Sequence, residues 1–206
     1  MNRSKNNPVR SRSGHRRRYQ RSRHQVSQPA VTSQPAVLQI VGYKNRGKTT
    51  LICALIPLLQ EKGYTVAVIK HDAHSFEIDH EGTDTFRQRA AGASAVAITG
   101  GERTVRIEEY GSSLAELIAS FASYDFILVE GFKNVAYPKI VLIQQEDDLE
   151  LLKELNNVWA TAVWAPMNNA ITFLPPTGFI QYDINDVPTI AGDMCQQRYY
   201  FQNFII

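Results

Sequence analysis

Near its start the chain carries glycine, lysine and threonine at a spacing that suits phosphate chemistry. The pattern G-x-x-x-x-G-K-T is filled by Gly42-Tyr43-Lys44-Asn45-Arg46-Gly47-Lys48-Thr49, and Thr50 follows. The two glycines let the backbone turn and present its N–H groups to phosphate oxygens. Lys48 supplies a point charge for the β- and γ-phosphates, and the Thr49 hydroxyl can ligate Mg²⁺. We therefore predict a nucleotide-binding P-loop at 42–50. The alternative is a glycine-containing turn without this role.

A second chemically informative residue is Glu130, which ends an apolar run that begins at Tyr124. In P-loop proteins an acid at the end of such a strand holds Mg²⁺ through water or orients the attacking water. We predict Glu130 and Lys48 as catalytic residues, and Glu130 and Thr49 as metal ligands. An ordinary glutamate at a strand end is the alternative.

A polar loop at 71–81 contains three histidines, His71, His74 and His80, among aspartates and glutamates. It follows an apolar run at 65–70, and ligands bind at the carboxyl ends of strands in open α/β sheets. Their spacing matches no zinc signature, so a hydrogen-bonding loop around nucleotide, Mg²⁺ or substrate is favoured over a transition-metal site.

The elements that must position these residues follow from hydrophobic periodicity. Apolar residues at 37–41 predict a strand before the P-loop, and an apolar face over 51–59 predicts a helix that ends at Lys62-Gly63. A buried strand at 65–70 completes a strand–helix–strand unit, which makes the sheet parallel.

The next helix is predicted to begin at an N-cap, Thr83, and to run to Ala91-Gly92. Its inward residues are predicted to be Phe86 and Ala90, with Arg87 and Arg89 on a solvated face. The other predicted elements are a hairpin of two strands (94–99 and 104–107), a helix near 114–121, strands at 139–143, 158–164 and 182–184, a helix at 149–155 and an aromatic helix at 194–206. The fold class is α/β, a mostly parallel sheet flanked by helices with a β-hairpin insertion.

Charge divides the chain into a basic N-terminal tail and an acidic remainder. Residues 1–36 hold nine Lys/Arg and no acid, which leaves 13 basic against 20 acidic residues in 37–206, a net charge of −7. We predict a disordered tail at 1–36 and a nucleotide-binding domain at 37–206. One interpretation of the tail is a basic arm that contacts nucleic acid or an acidic partner. The alternatives are a dispensable extension and upstream sequence included by a wrong start assignment.

The longest apolar stretch, 51–59, is too short to span a bilayer and contains Pro57. The two cysteines, Cys53 and Cys195, fit neither a metal spacing nor a disulfide framework. We predict a cytoplasmic protein with no membrane contact.

Taken in order, these motifs resemble those of the MobB family, molybdopterin-guanine dinucleotide biosynthesis proteins of the SIMIBI class of P-loop NTPases. The resemblance covers about residues 37–191. The segments that carry it are the P-loop, Ile69-Lys70-His71, Asp79 with Gly82-x-Asp84, Arg89-Ala90-Ala91-Gly92-Ala93, Leu128-Val129-Glu130-Gly131-Phe132-Lys133, Lys139-Ile140-Val141-Leu142 and Asp183-Ile184-Asn185-Asp186-Val187.

The resemblance implies GTP binding with Mg²⁺, a homodimer, and service to a MobA-type guanylyltransferase that joins GMP to molybdopterin. Whether molybdopterin contacts this chain stays open. By matched motif, the resemblance adds Lys70, His71, Asp79, Asp84 and Lys133 to the nucleotide-binding residues, and Asp79 to the metal ligands.

Two departures from related patterns limit what is carried over. Tyr43 stands where MinD-like relatives place a lysine, so their cross-dimer lysine mechanism is not assumed. The guanine-reading Asn-Lys-x-Asp motif is absent, so the base preference rests on the resemblance, because a P-loop reads phosphate.

Three functions compete on this sequence. The first is a GTP-binding accessory protein with weak GTPase activity. The second is an ATP-dependent kinase or ligase for a small molecule held by Lys70, His71 and Asp79. A nucleic-acid-associated module is the third and is disfavoured, because the only basic patch is the tail.

Overall fold

The computed structural model describes residues 34–72, 76–164 and 179–204. Its main sheet has six strands in the order β2-β5-β1-β6-β7-β8, and every neighbouring pair is parallel. The six strands are β1 (Ala36–Val41), β2 (Val66–Lys70), β5 (Phe126–Glu130), β6 (Lys139–Ile143), β7 (Val158–Val163) and β8 (Ile180–Asp183). Strands β3 (Ala95–Thr99) and β4 (Thr104–Glu108) pair antiparallel in a separate two-stranded sheet.

Helices cover both faces of the main sheet. They are α1 (Lys48–Glu61), α2 (Asp84–Ala90), α3 (Leu114–Ser120), α4 (Glu150–Glu154), α5 (Val187–Gln196) and α6 (Arg198–Gln202), and a 3₁₀ turn at Glu146–Leu149 precedes α4. Side chains of β1 and β5 alternate between the faces, as strand geometry requires. Leu38 and Leu128 pack with α1, α5 and α6 on one face, whereas Ile127 packs with α3 on the other.

The predicted fold class is confirmed, including the parallel sheet, the flanking helices and the hairpin. Helix α1 ends as predicted, because Gly63 has a φ of 86° and its N–H donates to the carbonyl of Gln60. Helix α2 begins after Thr83, whose side chain accepts from the Phe86 N–H.

Several local predictions were wrong. Strand β2 is only half buried, with Val68 40% exposed, because β2 lies at the edge of the sheet. On α2, Ala90 is exposed. The single C-terminal helix at 194–206 is instead two helices that meet at Gln197, and the first begins at Val187.

The disordered tail remains a prediction, because residues 1–33 lie outside the described part of the chain. Ala36, which the prediction placed in the tail, is the first residue of β1 and is buried. The same holds for His74 in the polar loop and for residues 205–206 of the predicted C-terminal helix. Among the described residues, no helix combines the length and apolar character that crossing a bilayer requires.

Candidate functional site

A cavity of about 860 Å³ opens over the P-loop, at the edge of the sheet where the strands end. Parallel strands bring their carboxyl ends to one edge, so residues distant in sequence meet there. The cavity is lined by Lys44, Asn45, Arg46, Gly47, Lys48, Thr49, Thr50, Lys70, His71, Asp72, Glu130, Gln144 and Trp164.

The P-loop backbone reaches this shape through two residues of left-handed conformation, Asn45 with φ 62° and Gly47 with φ 89°. Gly47 also admits a close neighbour, since a Cβ there would lie 3.0 Å from Cζ2 of Trp164. A side chain at position 47 would therefore be strained by its backbone and would meet a large ring.

Lys48 begins helix α1 and folds back over the loop. Its ammonium donates hydrogen bonds to the carbonyls of Gly42 at 3.0 Å and Tyr43 at 2.7 Å. Partial burial lowers the pKa of Lys48, Glu130 opposes this, and the cations Lys70 and Arg46 add to it. The ammonium is thus held at the mouth of the loop, beside the N–H groups that a P-loop offers to phosphate.

Glu130 and Thr49 meet at the same edge. The Thr49 hydroxyl lies 3.0 Å from both carboxylate oxygens of Glu130, to which it donates, and Lys70 Nζ lies 3.6 Å from Oε1. The Glu130 side chain is only 10% exposed. A hydroxyl and a carboxylate are oxygen donors of the kind that Mg²⁺ prefers, so the donor set fits that ion.

The turn after β5 is shaped by a buried amide. Gln39 of β1 donates from its side chain to the carbonyls of Gly131 and Phe132. Gly131 has a φ of 93°, and a Cβ there would lie 3.2 Å from the Cβ of His71. The ring of Phe132 lies 4.6 Å from that of His71. This packing fixes the ends of β2 and β5 relative to each other, and with them Lys70 and Glu130.

Gly42, Tyr43 and Lys133 lie next to the cavity without being among the residues that line it. The Lys133 ammonium lies over the Tyr43 ring, 5.8 Å from its centroid, within the range of a cation–π contact. The loop after β5 thereby places a cation beside the P-loop.

The remaining two predicted residues, Asp79 and Asp84, do not line this cavity. Oδ1 of Asp79 accepts from the hydroxyls of Thr83 and Thr85. Asp84 is exposed and lies 3.7 Å from Arg87. Both participate in the N-terminal turn of α2, and their roles with nucleotide and metal stay predictions.

Arg89 does not belong to a solvated face, contrary to the prediction. Its side chain is only 15% exposed and contacts three carboxylates, Glu77 at 2.9 Å, Asp79 at 3.6 Å and Glu109 at 2.5 Å. The pKa of Arg89 is raised, first through its hydrogen bonds to Glu77 and Glu109. The guanidinium therefore ties α2 to the polar loop and to the end of the hairpin.

Three residues at or behind the cavity were missed by sequence reasoning: Gln144 and Trp164, which line it, and Asp148, which is fully buried. Their position after β6 or β7 was the only available signal. Asp72, which also lines the cavity, belongs to the polar loop that was predicted to surround nucleotide, Mg²⁺ or substrate. Among the described residues, no cluster of three or more His, Cys, Asp or Glu side chains could hold a metal ion.

Comparison with known proteins identifies relatives over most of the chain. The sequence profile of the family described as Molybdopterin guanine dinucleotide synthesis protein B (MobB) matches residues 37–164. A Haemophilus influenzae protein named Molybdopterin-guanine dinucleotide biosynthesis adapter protein is 38% identical over 165 residues, which are 78% of this chain and 88% of that protein. The Escherichia coli protein of the same name is 32% identical over 165 residues, 75% of this chain and 89% of that protein.

Solved structures give the same result at the level of the fold. The crystal structure of Bacillus subtilis MobB is similar with a TM-score of 0.63 and 30% identity, covering 79% of this chain and 97% of that one. A MobB homologue from Bacillus stearothermophilus has a TM-score of 0.63 and 26% identity, covering 80% and 99%.

Proposed function

Because the chain belongs to the MobB family, we propose that it is a GTP-binding adapter in the biosynthesis of molybdopterin-guanine dinucleotide. The observation that carries the nucleotide-binding part is the contact of Thr49 with Glu130 in the cavity over the P-loop. It joins a hydroxyl and a carboxylate beside a lysine and a loop of backbone N–H groups, which is what a nucleotide phosphate with Mg²⁺ requires. A P-loop reads phosphate and not base, so the guanine preference is proposed only from the guanine dinucleotide in the names of the relatives.

In the proposed complex the loop residues 42–50 hold the β- and γ-phosphates. The Lys48 ammonium exchanges its bonds to the Gly42 and Tyr43 carbonyls for bonds to phosphate oxygens. Lys70, which is about half exposed, and Lys133 are the further cations near this edge. Lys44 of the loop also lines the cavity, and these four lysines favour a polyanion over a neutral ligand.

Thr49 and Glu130 would hold Mg²⁺, the threonine directly and the glutamate directly or through water. Bound Mg²⁺ would neutralise charge on the β- and γ-phosphate oxygens. Glu130 would also orient the attacking water. We expect slow hydrolysis, because this carboxylate already accepts from Thr49 and pairs with Lys70, and these contacts compete with its contact to the attacking water.

We further propose that nucleotidyl transfer occurs on a MobA-type guanylyltransferase. A P-loop wraps the β- and γ-phosphates and directs chemistry to the γ position, whereas joining GMP to molybdopterin requires attack at the α-phosphate. We also propose that this chain acts with that partner as a homodimer in the cytoplasm, as the resemblance to the MobB family suggests.

Nucleotide titration decides between the proposed function and a small-molecule kinase. Binding of GTP, ATP and GDP is measured by calorimetry with Mg²⁺ and with EDTA. The adapter proposal expects GTP to bind at least tenfold more tightly than ATP, a difference of about 1.4 kcal/mol, and to need Mg²⁺ for full affinity. A preference for ATP would favour the kinase. Absence of binding to any nucleotide would refute the proposal.

A further inference from the structure

An ion pair between a partly exposed arginine and a fully buried carboxylate joins the P-loop to the turn after β6. Asp148 is fully buried in the 3₁₀ turn after β6, and Arg46 Nε donates to its two oxygens at 3.0 and 2.9 Å. The same carboxylate accepts the backbone N–H groups of Gln144 at 2.8 Å and Gln145 at 3.0 Å. The carboxylate is thus fixed by its own turn before it reaches the loop.

A second contact holds the same P-loop residue from its main chain. The indole N–H of Trp164 donates to the Arg46 carbonyl at 3.2 Å. The Trp164 ring lies against Gly47, where a side chain would collide with it. Arg46 is therefore held through its guanidinium by the turn after β6 and through its carbonyl by the end of β7.

From this geometry we propose that Asp148 and Trp164 are positioning residues, which hold the P-loop in the conformation that binds phosphate. The Arg46 side chain then connects the loop to Asp148 and does not bind phosphate itself. The inference rests on the proposed nucleotide binding. A loop held in its binding conformation does not spend binding energy on being ordered, so its affinity for phosphate is higher. Arg46 Nε donates to the carboxylate of Asp148, which is 0% exposed. Removing the cation from a buried carboxylate strongly destabilises the folded protein, so we expect this contact to persist when phosphate binds.

The two roles open to Arg46 predict different results for its partner. If the guanidinium bound phosphate directly, removing the charge of Asp148 would release it and leave nucleotide affinity unchanged or higher. If Asp148 positions the loop through Arg46, removal of either partner weakens binding, and removing both costs little more than removing one. A double-mutant cycle separates these cases.

The test measures binding of GTP with Mg²⁺ and of inorganic triphosphate to wild type, Arg46→Ala, Asp148→Asn and the double variant, with melting temperatures recorded in parallel. Each single variant is expected to bind both ligands about tenfold more weakly, and the double variant about as weakly as either. Inorganic triphosphate lacks a base, so an equal loss for both ligands assigns the effect to the phosphate loop. Lys153→Ala, which removes the exposed pair with Glu150 on α4, is the matched control and should bind as wild type.

Trp164→Phe tests the second contact and is independent of the buried charge. It retains an aromatic ring and removes the N–H that bonds to Arg46, so binding should weaken several-fold. This variant alone carries the test if Asp148→Asn or Arg46→Ala does not fold.

The outcomes separate the inference from the proposed function. Variants that melt earlier but bind both ligands as wild type would show that the pair only stabilises the fold, and would overturn the inference alone. Tighter binding by Asp148→Asn would overturn it too. Failure of the wild-type protein to bind nucleotide or triphosphate would refute the proposed function and the inference with it.

Discussion

Replacing Glu130 by glutamine should reduce the dependence of GTP binding on Mg²⁺ and slow hydrolysis at least tenfold. The change keeps the size of the side chain and an oxygen that can accept from Thr49, but removes a charge from a side chain only 10% exposed. The attraction between the Glu130 charge and Lys70, whose Nζ lies 3.6 Å from Oε1, gives an estimate of what this charge contributes to holding a cation. Because Lys70 is half exposed, an effective dielectric constant of about 40–80 gives about 1–2 kcal/mol for two unit charges at that distance.

A divalent ion held by the same carboxylate is stabilised by at least this free energy. In the variant, the ratio of the GTP affinities with and without Mg²⁺ should therefore fall about five- to thirtyfold. In EDTA, without Mg²⁺, the effect of the substitution on GTP affinity has the opposite sign. Without the glutamate charge, repulsion of the nucleotide phosphates is lower and Lys70 is released, so the variant should bind GTP as tightly as wild type or more tightly.

Calorimetric titration with Mg²⁺ and with EDTA, together with phosphate release in single-turnover mixtures, measures both quantities. Glu150→Gln is the matched control, because Glu150 is an exposed carboxylate on α4 paired with Lys153. An unchanged Mg²⁺ dependence and wild-type turnover in Glu130→Gln would refute the assignment and leave Glu130 as a residue that ends a strand.

Lys48→Ala should weaken GTP binding at least a hundredfold, measured by calorimetry, while its melting temperature stays within a few degrees of wild type. Lys62→Ala, at the far end of α1, is the control. Unchanged GTP affinity in Lys48→Ala would contradict the P-loop assignment. Deletion of residues 1–33 should leave both melting temperature and GTP affinity unchanged, and a large loss of either would show that the tail belongs to the domain. The purified protein with GTP, Mg²⁺ and molybdopterin should form no dinucleotide by chromatographic assay until a guanylyltransferase is added, and product without that enzyme would end the adapter proposal. Burial lowers the pKa of Lys139 from 10.5 to about 8, so between these values the unfolded chain binds the proton that the folded chain has lost, and stability rises with pH. Relative to Lys139→Met, the wild-type free energy of unfolding should therefore increase by up to about 3 kcal/mol from pH 7.5 to 10.5 in urea titrations, and parallel curves would contradict this.

Local patterns were sufficient for most of the elements. The apolar runs that became β1, β5 and β6 and the periodic faces of α1 and α3 were recognised because side-chain period depends only on neighbours in sequence. The missed helix α5 also carried a local signal, since Asp186 caps it and Pro188 lies in its first turn. This cap lies among proline and asparagine residues, which favour turns, whereas the aromatic cluster that follows it placed the predicted helix at 194–206.

The sequence by itself determined the P-loop, its flanking strand and helix, and the acid that ends β5, because each of these is a short motif with fixed local geometry. Only the tertiary structure decided that β5 pairs with β1 and brings Glu130 within 3.0 Å of Thr49. It alone placed Arg89 among three carboxylates and Asp148 behind Arg46. A charged residue appears the same in sequence whether it faces water or a partner about a hundred positions away, because its environment is set by strand order and by the packing of distant segments.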